Sequence, residues 1–215
     1  MASSGNLLVY YGKKDEWDEL SPDSYRFKIV QAIVQLALSI LETTKSKASL
    51  VRIGKETITE GNTLSFLTYT SARLTICLSG STEIGGEAEA ERQAWKGGMR
   101  NYDAGVSGNI VLNKMGISVA HEVVHLFIGF LTGNPRSNTP PLVTLEPYGN
   151  RQRGEAGRYW EELVLGGVAE CWSNNNDIMG VRQSGTPYLF QNGFARSNGW
   201  KVSMSYIERF VDGSE

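Results

Sequence analysis

The first apolar run, residues 7–11 (LLVYY), is rich in strand-forming side chains and reads as a short strand. Ser21-Pro22 then opens a helix, with the serine as cap and the proline at the first helical position, where its missing N–H costs nothing. Phe27, Val30, Ile33, Val34, Ala37, Leu38 and Leu41 recur at the spacing of one helical face, so this helix is predicted to run to about residue 45. Residues 50–53, 63–70 and 73–78 are rich in β-branched and aromatic side chains, and Gly54, Gly61-Asn62 and Ser79-Gly80 punctuate them. They read as strands of a meander or small mixed sheet. Residues 86–100 turn from acidic to basic, a solvated insertion with a short helix over 88–95.

Further on, residues 109–113 (NIVLN) read as another strand, ended by Lys114-Met115-Gly116. A helix follows over 118–131, carried by Val119, Val123, Leu126, Phe127 and Phe130 and closed by Gly133, with Pro135 beyond. Residues 133–154 form a loop holding four prolines and three arginines, and loops this long in compact domains are commonly functional. A second long helix is expected over 155–172, an extended piece over 188–191 and a last helix over 203–210.

With 215 residues, this pattern suits one domain spanning 1–215, and the 24 glycines agree with many turns. A net charge of −2 leaves no basic footprint for nucleic acid or an anionic membrane. No unbroken apolar run reaches the roughly 18 residues of a membrane span. The N-terminal stretch lacks a basic region ahead of a long apolar one, so no secretory signal is expected. A cytoplasmic location follows as the expectation. Cys77 and Cys171 are too few for a disulfide scaffold and read as small buried apolar residues.

The chain holds 2 histidines, and both fall in one motif, His121-Glu122-Val123-Val124-His125. Residues four apart on a helix share a face, so both imidazoles can point at one metal ion. Glu122, beside the first ligand, is placed to take a proton from a water that the metal activates for attack on a carbonyl. Two histidines and a carboxylate on an otherwise apolar helix would be costly to bury without such a purpose.

Strand, HExxH helix and a preceding layer of helix and sheet resemble the zincin class of metal-dependent hydrolases. The resemblance covers roughly residues 105–172. It implies an α+β fold, a single domain with a small mixed sheet, an active-site helix and a second, ligand-bearing helix. It also implies that the strand before the motif is a sheet edge along which an extended substrate lies. After His125 the chain reads LFIGFLTG, which excludes a third histidine at the extended metzincin spacing. The helix in RGEAGRYWEELVLGGVAECW looks like that of the glutamate-ligated branch, and GExGRxWE downstream of HExxH resembles uncharacterised fungal zincin-like proteins.

Within that helix Glu155 is the preferred third ligand, with Gly154 and Gly157 allowing close backbone approach, and Glu162 is the alternative. Whichever of the two is not a ligand could brace an imidazole N–H. Glu161 points about 100° away from Glu162 and is the poorer choice; Glu170 lies deeper in the helix. In the glutamate branch an aspartate often follows the ligand by four residues and orients a histidine; here that position is Tyr159. Tyr159 could donate to an oxyanion or pack against the motif helix. Arg151, Arg153 and Arg158 are candidates for binding a carboxylate-bearing substrate, or are solvated charges.

The expected function is a zinc-dependent hydrolase, with Zn2+ on His121, His125 and Glu155 and with Glu122 as base, acting on an amide or peptide carbonyl. Two alternatives stand beside it: a metal-dependent enzyme acting on a small metabolite, and an inactive zincin-like binding domain. Neither nucleic acid nor membrane is an expected partner.

Overall fold

The computed structural model describes residues 7–13, 16–60, 76–79, 106–133, 139–172, 186–191 and 199–213, and at the ends of several elements it describes the backbone alone. The described chain is mixed α and β, with two small sheets rather than one. In the first, β1 (Val9–Lys13) is central, antiparallel to β2 (Glu16–Glu19) and parallel to β3 (Ile76–Ser79). The second is an antiparallel meander of β4 (Val168–Trp172), β5 (Thr186–Phe190) and β6 (Gly199–Lys201). The expected strand over 63–70 and the helix over 88–95 fall outside the described residues.

Helix α1 (Tyr25–Glu42) starts three residues later than its sequence signal. Ser21-Pro22 forms a turn, and Ser24 is the cap whose hydroxyl accepts the Phe27 N–H at 3.2 Å. The buried stripe, Phe27 to Leu41, follows the periodicity except that Leu38 is exposed and that Ile29 and Ile40 join it. Phe27, Val30 and Val34 pack on Val9 of β1, and Ile29 and Ile33 meet Leu112. Thr43 then ends α1 and starts α2 (Thr44–Glu60). Its hydroxyl donates to the Ile40 carbonyl at 2.8 Å and accepts the Ser46 N–H at 3.2 Å, and the two helices meet at 74°.

The strand expected over 50–53 is therefore wrong, and the reason is legible in what α2 buries. Its inward face is Ser46, Ser49, Ile53 and Thr57, mostly hydroxyl residues whose helical spacing a hydropathy reading does not register. The hydroxyls are satisfied locally: Ser49 donates to the Lys45 carbonyl and Thr57 to that of Ile53, while Ser46 accepts the indole N–H of the fully buried Trp160 at 2.9 Å.

The second correction concerns 109–113, which is not a strand. It is the second turn of α3 (Val106–Thr132), the central helix, and no sheet edge precedes the motif among the described residues. A short apolar run such as Ile110-Val111-Leu112 does not distinguish strand from helix. Gly116, expected to end the strand, sits inside α3, where a Cβ would lie 2.8 Å from Leu36 Cδ2. The glycine allows α1 and α3 to cross closely. From Gly108 to Thr132 this helix is also long and apolar enough to cross a membrane, which counting unbroken apolar runs overlooks. A third of its most apolar window is buried: Val124 and Ile128 lie with Ile53, Ala156 and Trp160 in the main core, while Leu126 and Phe130 are exposed.

Helix α4 (Ala156–Leu165) is shorter than the expected 155–172. Gly166 adopts φ 79°, a left-handed cap that suits glycine, and the chain turns into β4. Glu170 is thus a strand residue. The last helix, α5 (Met204–Val211), agrees with expectation, with the Ser203 hydroxyl capping Tyr206.

Candidate metal centre

Burial of Ala120, Val124 and Ile128 fixes the rotation of α3 and leaves His121 and His125, one turn apart, facing α4. The third member arrives by a backbone route. The Gly154 N–H donates to the Thr139 carbonyl at 2.9 Å and the Glu155 N–H to that of Val143 at 3.0 Å. A Cβ on Gly154 would lie 2.1 Å from the Pro140 carbonyl oxygen, so only glycine permits this seam. Glu155 is consequently held at the cap of α4 rather than within it. One carboxylate oxygen accepts the Arg158 N–H, and the other faces the histidines.

Glu155 Oε1 lies 2.9 Å from His125 Nε2 and 3.3 Å from His121 Nε2, and the two nitrogens are 3.3 Å apart. Among the described residues, these three form the group that could hold a metal ion. Gly157 provides room for it: a Cβ there would sit 2.3 Å from His121 Nε2. The side chains of His121, Glu155 and His125 keep 13%, 24% and 31% of their exposure, so the cluster is open toward His125.

Behind each imidazole stands a further group. His121 Nδ1 is 2.6 Å from Glu161 Oε1, and because an ionised carboxylate only accepts, the ring nitrogen is the donor. His125 Nδ1 is 3.4 Å from the hydroxyl of the buried Thr139. With both Nδ1 atoms within reach of a partner, both Nε2 atoms face the Glu155 oxygen, and these are the nitrogens left for a metal ion.

The electrostatics agree. Burial opposes charge on His121, yet hydrogen bonds to Glu155 and Glu161 prevail and raise its pKa to about 9. Burial likewise opposes ionisation of Glu155, but the two histidines and the Arg158 N–H hold its pKa well below the usual carboxylate range. The arrangement favours a proton shared between these groups.

Glu122 is exposed on α3, about 100° round the helix from His121 and about 60° from His125. Glu162, the alternative ligand or brace, is not in the cluster; burial raises its pKa, and its Oε2 has no hydrogen-bond partner in the protein. The bracing carboxylate is Glu161, which the sequence reading sets aside because it points about 100° away from Glu162. The Tyr159 hydroxyl donates to Glu56 Oε1 at 3.2 Å, which turns it to α2 and gives it the packing role. Arg158 NH1 is engaged by Glu161 and the Ala169 carbonyl, and its guanidinium lies 5.4 Å from the Tyr148 ring centre. Arg151 and Arg153 are exposed.

Glu161 had a signal, as the closing glutamate of GExGRxWE three residues beyond an arginine; Thr139 had none. The chain matches no family model, and no curated protein or solved structure shows significant similarity to it.

Proposed function

We propose that this chain is a zinc-dependent hydrolase that directs water at an amide or peptide carbonyl. One observation carries the reading: two Nε2 atoms and a carboxylate oxygen converge within 3.3 Å while both Nδ1 atoms are held from behind. Two imidazoles and one carboxylate suit zinc better than magnesium or calcium, which prefer all-oxygen sites, and three protein ligands leave a position free. When bound, zinc supplies a Lewis acid that polarises the carbonyl and acidifies water. The remaining work belongs to the chain. His121, His125 and Glu155 hold the ion, and Glu161 and Thr139 fix the rings. Glu122, on the exposed flank of the same helix, takes the proton of the attacking water and returns it to the leaving amine.

Elemental analysis of the purified chain tests the first part, with one zinc per chain expected. Glu122→Gln should retain that zinc while turnover on a peptide library falls about 10²–10⁴-fold. Glu155→Ala should lose the zinc, and Glu162→Ala should keep it. Full activity in Glu122→Gln would end the water-activation mechanism, and zinc retained by Glu155→Ala but lost by Glu162→Ala would move the ligand.

A further inference from the structure

Glu161 reaches in two directions. Its Oε1 accepts from His121, while its Oε2 accepts the backbone N–H of Ala169, the second residue of β4, at 2.8 Å. Arg158 closes the arrangement, with NH1 3.2 Å from the same Oε2 and 3.3 Å from the Ala169 carbonyl oxygen. In an antiparallel ladder a residue directs both backbone groups to one side. Ala169 therefore turns its N–H and its C=O away from β5, and both end on side chains of α4. Cys171, two residues on, faces the same way, which is why its ladder partner can be Pro187, a residue with no N–H to give.

A single buried carboxylate thus joins a ring of the metal cluster to the outer edge of the β4–β5–β6 sheet. Its two oxygens are rigidly linked, so whatever fixes one fixes the other. We infer that metal binding at His121 and docking of this sheet onto α4 are thermodynamically coupled, through Glu161 with Arg158 as its counter-ion. The inference rests on the metal reading above. Ligation shared with His125 and Glu155 fixes the position and plane of the His121 ring, which holds Oε1 and with it the plane that presents Oε2 to Ala169. Linkage makes the effect reciprocal: a docked sheet raises metal affinity.

Amide hydrogen exchange on the full chain, with and without zinc, tests this. At zinc 100 times its Kd, exchange over residues 166–172 should slow about 100-fold if the opening that frees Ala169 also releases the ion. Glu161→Gln has one carbonyl oxygen for three donors, His121, Ala169 and Arg158. It should bind zinc about 10–100-fold more weakly, and saturating zinc should still protect α3 but no longer protect 166–172. Arg158→Met, at a partly exposed side chain, should fold normally and lose part of the same protection, with a smaller change in affinity. If the parent binds zinc while its β4 exchange is unmoved, or if both variants keep the parental zinc-dependent slowing, the coupling is wrong and the metal site stands. A parent chain that binds no zinc overturns both.

Discussion

A carboxylate oxygen facing two imidazole nitrogens at 2.9 and 3.3 Å favours a proton between them, which raises the pKa of His121 and lowers that of Glu155. The consequence for pH has a definite sign. His121 has a pKa of about 9 in the fold against 6.5 ordinarily, so its pairing stabilises the metal-free chain fully below pH 6.5. That contribution is lost as pH rises through 9. On the proposed reading, zinc displaces the same proton, so its stabilising effect would grow over the same interval. Thermal melts of chelator-treated and zinc-loaded protein should lie close together at about pH 6.5 and separate toward pH 9. A chelated protein whose Tm is flat across that interval would show that the His121 pairing does not form. The three residues that converge, His121, His125 and Glu155, were all readable from letters and spacing. Their supports were not, because which oxygen stands behind which ring depends on where the α4 cap falls.

Elements enter the site as fitted surfaces, and Gly157 is where α4 lies directly against a ring of the cluster. By helix propensity alone, alanine at this position in α4 would be favourable by about 0.5–1 kcal/mol. Its methyl, however, would sit 2.3 Å from His121 Nε2, and that ring cannot retreat from Glu161. The clash decides the sign: Gly157→Ala is expected to weaken zinc binding at least about tenfold. Calorimetric titration measures this directly, and parental affinity would mean that the imidazole does not lie over α4. Reading elements from the sequence succeeded where burial is apolar, as along α1 and α5. It failed where burial is disguised. Ser46, Ser49 and Thr57 hide the inner face of α2, and Ile110 to Leu112 imitate a strand inside α3. The Gly166-Gly167 pair was the available signal that α4 ends early, and it was read through.

Across the whole molecule, the mixed class and the meeting of α3 with α4 could be anticipated, whereas the division into two sheets could not, since strand pairing is settled by contacts far apart in sequence. One small feature governs this scale. Drawn as an unbroken rod, the stretch from Tyr25 to Glu60 would measure about 54 Å. That is some three times the radius of gyration of roughly 17 Å expected for a chain of this length. The Thr43 hydroxyl, serving two helix ends at once, prevents the rod. Replacing it with leucine removes both caps and favours straight helix, which would carry α1 and the first sheet out of reach of their own α3. Another copy's α3 presents the same surface. Thr43→Leu should therefore shift the chain toward an exchanged dimer by light scattering, relative to the parent and to Thr43→Ser. In that event, the hydroxyl of one threonine determines whether this polypeptide completes its core from its own N-terminal third or borrows that of its neighbour.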